Sequence, residues 1–288
     1  MQPLREMEIG LMFWGEDDPV ASLREVKSLG IRCGHLGIAG GIALEGAAAK
    51  WKQALEQEDF VVTSLVGSFN GESYADVPTV RDTVGYLPAG SRQDREARTY
   101  QLIELGAALG APSYCCHAGY IPEDPADADY QAVVEICRRI ADRAARFQMN
   151  FALETGQEPP KVLVDFIRAV DRPNLKINFD PANIILYGVG DPIEALDMLA
   201  PWIVSVHCKD GIWPPRDKPG ALGTEKPLGQ GEVGIERFIA KLKEIGYKGA
   251  LTIEREVESA DQAERHVGGI PHRQDVRNAV ALLEKLRA

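Results

Sequence analysis

Eight times along these 288 residues a short β-like run gives way to a helical pattern, and that repetition leaves few folds open. The runs fall at 8–14, 33–40, 60–69, 112–119, 150–156, 175–181, 203–211 and 249–256, and the last leads to the helical pattern "RQDVRNAVALLEKLR". Successive parallel strands need a crossover, normally a helix, so strict alternation predicts a parallel sheet covered by helices. Eight units in a chain of this length predict a closed (β/α)8 barrel, an α/β fold, as a single domain over residues 1–288. An open doubly wound sheet fits less well. The stretch after the first run, "FWGEDDP", has one glycine and lacks the Gly-rich phosphate turn. Asp18 followed by Pro19 predicts a capped helix start, and Gly30, Gly110 and Gly246 close helical segments.

Side chains alternate across a strand, so one anchored face fixes the other. In the fifth run Phe151 and Leu153 oppose Asn150, Ala152 and Glu154; in the sixth, Ile177 and Phe179 oppose Lys176, Asn178 and Asp180. In the seventh Val204 and Val206 oppose Ser205, His207 and Lys209; in the eighth, Leu251 and Ile253 oppose Ala250, Thr252 and Glu254. Four consecutive strands thus carry an apolar face for the helix layer and a small or polar face for the lumen. That register puts Glu154, Asp180, His207 and Glu254 inside the barrel, near the strand ends where such folds place their active sites. Three carboxylates in one water-poor pocket repel each other unless a positive charge sits among them. Oxygen ligands with one imidazole suit Mn²⁺, Mg²⁺, Co²⁺ or Zn²⁺, with Mn²⁺ preferred.

Other readings follow from the same register. His117 shares the lumen side with Cys115 and Lys209 that of His207, while Trp14 and Trp213 sit at the exits of the first and seventh strands. All four are candidates for substrate contact; packing, or for Lys209 a salt bridge to the site's acids, accounts for them equally well. Residues 70–90 and 210–233 are too long for turns and leave strand C-terminal ends, which predicts a lid or wall.

The net charge of −11 argues against a polyanionic partner such as nucleic acid. No apolar stretch approaches the ~20 residues needed to span a bilayer, so no membrane partner is expected. The N-terminus lacks a signal-peptide pattern, and five cysteines without CxxC spacing read as reduced thiols, which together predict a cytoplasmic protein. Homo-oligomers remain open.

The pieces "ALETG", "NFDPAN", "SVHCKDG", "PLGQGEVG" and "GYKGALTIERE" resemble the xylose isomerase-like barrels, in particular the sugar phosphate isomerase/epimerase group. "TVGYLPAGSRQDR" resembles a loop of one uncharacterised branch of that group. The resemblance implies one divalent metal on Glu154, Asp180, His207 and Glu254, with Glu154 and Glu254 also serving as the acid/base pair. It implies a small carbohydrate substrate isomerised or epimerised through an enediolate. Asn183 stands where the epimerases of this group usually place a substrate-contacting histidine, and their arginine after the seventh-strand histidine is not evident. A metal-dependent dehydratase or lyase acting on a sugar acid or inosose is the alternative from the same chemistry. An endonuclease-IV-like repair enzyme would need more histidines than the five present, and a non-catalytic metal-binding barrel would need only the ligand set.

Overall fold

The computed structural model describes residues 3–256, 270 and 272–288. Its eight core strands are β1 (Ile9–Trp14), β2 (Cys33–Ile38), β3 (Val61–Gly67), β4 (Ser113–Cys116), β5 (Asn150–Glu154), β6 (Leu175–Phe179), β7 (Ile203–Cys208) and β10 (Leu251–Ile253). They close in the order β1-β10-β7-β6-β5-β4-β3-β2, every neighbouring pair parallel. The doubly wound alternative is thereby excluded. A separate antiparallel hairpin, β8 (Asp210–Ile212) with β9 (Thr224–Lys226), grows out of the 210–233 connection. His266, to which the sequence assigned no role, lies outside the described residues.

The helices form where the capping chemistry placed them. Helix α1 (Pro19–Lys27) starts with the Asp18 carboxylate accepting from the Ala21 amide at 3.0 Å. Helix α5 (Ala128–Ala145) buries Tyr130, Val133, Val134, Cys137, Ile140, Ala141 and Ala144, a three-and-four spacing that makes one continuous apolar stripe. Those side chains pack on the outward residues of the strands, including Tyr114, Phe151, Leu153, Ile177 and Phe179, all almost fully excluded from solvent. Truncating such a residue, Ile140→Ala for instance, costs about 2–5 kcal/mol. All five cysteines are free and buried.

The lumen departs from the branched-aliphatic filling usual for barrels. Met12, Val66, Cys115 and Ala152 form a small apolar cluster, with Trp14 and Val204 packed against it. Around them lie Ser64 and Ser113, hydroxyl to hydroxyl at 3.0 Å, and the buried His35, Asn178, Ser205 and Thr252. Val204 corrects the alternation expected for the seventh strand. Ile203 pairs with Ile177 but Ser205 pairs with Asn178, so Val204 is an extra residue in the ladder and packs against the lumen cluster rather than the helix layer.

Both long connections are ordered walls over the C-terminal mouth. The first contains helix α3 (Val77–Thr83) and the second the β8–β9 hairpin. Asp210 organises the second. Its carboxylate accepts from the amides of Gly211 and Val233 on one oxygen, and of Gly229 and Gly231 on the other, at 2.9–3.1 Å. A Cβ on Gly231 would sit 2.2 Å from that carboxylate, which explains why "KDG" and "GQGEVG" occur together.

Candidate metal centre

Glu154 ends β5, Asp180 follows β6, His207 lies within β7 and Glu254 follows β10. One ligand atom from each falls within 4.8 Å of all the others, and all four residues are buried. Among the described residues no other group of three or more His, Cys, Asp or Glu side chains converges in this way. His207 Nδ1 is 3.1 Å from Glu254 Oε2, 3.3 Å from Glu154 Oε1 and 3.8 Å from Asp180 Oδ2.

Asp180 does two things at once. Its Oδ1 accepts from the amides of Ala182 and Asn183 at 2.8 and 3.0 Å, capping helix α7 (Pro181–Leu186). Its Oδ2 is buried, aims at the cluster and has no hydrogen-bond partner. The Thr155 hydroxyl accepts from the Asp180 amide and donates to the Asp180 carbonyl, fixing where the strand ends. The cap orients the carboxylate and leaves one oxygen for a ligand, so capping and ligation do not compete.

A residue that the sequence analysis passed over fixes the imidazole. His35, on β2 and fully buried, places Nδ1 3.0 Å from His207 Nε2. Burial, aided by the neighbouring His207, holds His35 well below the ordinary imidazole range, so it stays neutral and its Nδ1 can accept from His207 Nε2. In that tautomer His207 carries a proton on Nε2 and its Nδ1 faces the carboxylates, as a ligating imidazole requires.

The electrostatics are those of a cation site. Burial pulls against protonation of His207, but the Glu254 and Glu154 carboxylates beside it outweigh burial and hold it well above its ordinary range. Burial also disfavours the Glu254 anion, yet His207 and Lys209 keep it well below the usual carboxylate range. Asp180 is pushed up to about 6, chiefly by burial, with Lys209 opposing. An imidazolium proton therefore supplies the positive charge that the carboxylates need. Three carboxylate oxygens, one of them the Asp180 Oδ2 that lacks a hydrogen-bond partner, and one imidazole nitrogen fit a divalent ion, which could replace that proton.

Above the cluster opens a cavity of about 610 Å³, within the range of small-molecule sites. Of the substrate-contact candidates, His117, Asn183, Lys209 and Trp14 line it. Trp213 does not: it is 42% exposed and lies beyond the hairpin's first strand. Asn183 donates to Glu154 Oε1 at 3.2 Å. This approach needs Gly156, at φ +130°, where a Cβ would meet the Asn183 Cβ at 2.2 Å. His117 Nε2 is 3.9 Å from the same oxygen, and the His117 ring stands 5.8 Å from that of Tyr74. Lys209 forms the salt bridge weighed for it, Nζ to Glu254 Oε2 at 2.9 Å, and also reaches Glu256 at 3.2 Å. Tyr74, Glu225 and Glu256 complete the wall; Tyr74 and Glu225 come from segments with no readable periodicity, while Glu256 continues the lumen register of Thr252 and Glu254.

Residues 23–286 match the xylose isomerase-like TIM barrel family, and the chain belongs to it. A xylose isomerase domain protein from Planctomyces limnophilus is 35% identical, with 98% of each chain covered and a TM-score of 0.87. A D-psicose 3-epimerase from Clostridium cellulolyticum H10 shares the fold at 16% identity, over 98% of this chain and 99% of that one, with a TM-score of 0.69. The 3-dehydroshikimate dehydratase of Bacillus anthracis is 29% identical over 138 residues, 42% of this chain and 48% of that protein. The chain spans about half the length of the curated relatives it matches. No helix among the described residues is long and apolar enough to cross a membrane.

Proposed function

We propose that this protein is a divalent-metal-dependent isomerase or epimerase of a small carbohydrate, working by proton transfer beside a carbonyl through an enediolate. The observation that carries the reading is the placement of two carboxylates, Glu154 and Glu254, either side of His207 Nδ1 at 3.3 and 3.1 Å on the floor of a 610 Å³ cavity. Glu154, Asp180, His207 and Glu254 would hold the ion, with Mn²⁺ favoured by the mostly oxygen donor set and Mg²⁺, Co²⁺ or Zn²⁺ also accommodated. The ion supplies Lewis acidity at the substrate carbonyl and offsets the charge that develops there.

The chain's own residues do the rest. Trp14, Tyr74 and Met12 give the cavity apolar surface for the carbon skeleton, while His117 and Asn183 offer polar atoms to hydroxyl groups. Lys209 and His207 keep Glu254 ionised, and Asn183 holds Glu154 in place. One glutamate takes the proton from the carbon next to the carbonyl; the other, or the same one, returns it. Return to the opposite face of that carbon epimerises, and return to the neighbouring carbon isomerises. The walls from residues 70–90 and 210–233 keep bulk water from the reacting carbon.

The 29% match to a dehydratase supports a second reading, in which the same proton abstraction ends in loss of a β-hydroxyl. Incubating Mn²⁺-loaded protein in D₂O with ketoses, sugar phosphates, inososes and 3-dehydroshikimate separates the two. Epimerisation or isomerisation puts deuterium on the reprotonated carbon; dehydration yields an unsaturated or enol-derived product. Glu154→Gln and Glu254→Gln should each keep most of the metal and lower turnover by ~10²-fold or more. Normal turnover in both variants with no deuterium incorporated would end the proton-transfer reading.

A further inference from the structure

The charges around the cavity restrict what can enter it. The lining of described residues includes Asp76, Glu154, Glu225, Glu254 and Glu256 against a single cationic side chain, Lys209. Lys209 is only 4% exposed, and its ammonium is already engaged: 2.9 Å from Glu254, 3.2 Å from Glu256, 3.6 Å from Glu225 and 3.8 Å from Asp180. It neutralises the wall and has little left for a ligand.

Arg255 does not change this. Its guanidinium pairs with Glu225 at 2.8 Å and with Asp275 at 3.1 Å, and it lies outside the lining. Even with a divalent ion in place, the three ligand carboxylates outnumber its charge, and Lys209 only offsets the excess.

Helix N-termini are the other common seats for phosphate or carboxylate groups. Two open at the cavity, and both are filled by the chain itself. Asp76 Oδ1 accepts from the Thr79 amide at 2.8 Å at the start of α3, and Asp180 caps α7. Charged ligands need paired, hydrogen-bonded counter-charges once desolvated, and in the described lining Lys209 and both helix N-termini are already taken by the chain's own carboxylates. By contrast Trp14, Tyr74, Met12, Leu186 and Tyr187 offer surface suited to C–H faces.

We propose that the cavity takes an uncharged polyhydroxy carbonyl compound, a free ketose or a cyclic polyol ketone, and that Glu225 and Glu256 exclude phosphorylated and carboxylated analogues. The proposal rests on the reading of this cavity as a carbohydrate site. It is independent of which bond the enzyme remakes. Glu225 stands on β9 and Glu256 follows β10, so two separate segments carry the exclusion, and neither residue belongs to the candidate ligand set.

The test is calorimetric binding to Mn²⁺-loaded protein with matched pairs: D-fructose against D-fructose 6-phosphate, and D-tagatose against D-tagaturonate, its carboxylate at the terminal carbon. The uncharged member of at least one pair should bind, and bind about tenfold or more tightly than its charged partner. Glu225→Gln combined with Glu256→Gln, which also releases Arg255, should narrow that gap by strengthening the charged partner. Three results would overturn the proposal: a charged member binding as tightly as its partner, a gap unmoved by the double variant, or no binding of either uncharged compound. Binding of an uncharged member without turnover leaves this proposal standing and removes the proton-transfer reading. Turnover confined to the charged members does the reverse.

Discussion

Replacing Asp180 by Asn should make the metal-free protein more stable and the metal-loaded protein less so. Asparagine keeps an oxygen for the Ala182 and Asn183 amides that Asp180 Oδ1 now caps at 2.8 and 3.0 Å, so helix α7 retains its start. What is lost is a buried charge. Burial pushes Asp180 from 3.8 to about 6 even with Lys209 beside it. A folded-state value above the unfolded one means that stability is fully present below 3.8 and is lost as pH rises through about 6. At 1.36 kcal/mol per pKa unit the full loss is about 3 kcal/mol, already net of the attraction to His207 and Lys209, so substitution should return on the order of 1–3 kcal/mol. At about 2–4 °C per kcal/mol for domains somewhat smaller than this one, the chelator-treated variant should melt several degrees above chelator-treated wild type at pH 7.5. The difference should vanish toward pH 4. Added Mn²⁺ should raise the melting temperature of wild type and leave the variant almost unmoved, since a ligand stabilises only the state that binds it. A metal-free variant that melts below wild type at pH 7.5, or one that Mn²⁺ stabilises as strongly, would refute the reasoning.

Other outcomes follow from neighbouring residues. His35→Leu removes the acceptor for His207 Nε2 and should weaken Mn²⁺ binding by about 10–100-fold, while His35→Asn, which keeps an acceptor near the same place, should restore part of it; equal affinities in competition titrations would remove the positioning role. Glu158, buried with its carboxyl raised to about 8 by burial, is protonated in the fold, so stability present below its ordinary 4.5 is lost as pH rises toward 8. Glu158→Gln should therefore raise the denaturation midpoint at pH 8 by an amount corresponding to about 2–5 kcal/mol and change it little at pH 4; an equal effect at both would contradict this. Gly156→Ala forces a side chain onto Asn183 at φ +130°, and should lower both stability and turnover, with loss of stability alone showing that Asn183 is not needed at Glu154.

The barrel was legible because two periods agree: a helical pattern between strands, and alternation within them. The sequences of β5, β6 and β10, and of β7 from Ser205 onward, show that alternation cleanly, which is why Glu154, Asp180, His207 and Glu254 could be placed on one side from sequence alone. His35 obeys the same rule, since Leu36 and Ile38 belong to the outer core, but Gly34 and Gly37 blur the contrast between faces in "CGHLGI". Reading β2 by the same register would have found it. Val204 could not have been found, because an inserted ladder residue leaves no mark in an apolar run. Glu256 follows Glu254 at the same two-residue spacing in the eighth run, whereas Glu225 and Tyr74 sit in connections where no period exists, and only the closure of the barrel brings them to one cavity. Trp213 lies outside the lining for the related reason that the hairpin that follows β7 is invisible in sequence.

The central claim is that four side chains from four strands hold one divalent ion through His207 Nδ1. Anomalous diffraction from crystals grown with Mn²⁺ tests it directly. The account predicts a single peak per chain bounded by Glu154, Asp180, His207 Nδ1 and Glu254 at roughly 2.0–2.4 Å. No peak there at full occupancy of added metal, a cluster of peaks, or ligation through His207 Nε2 would contradict it.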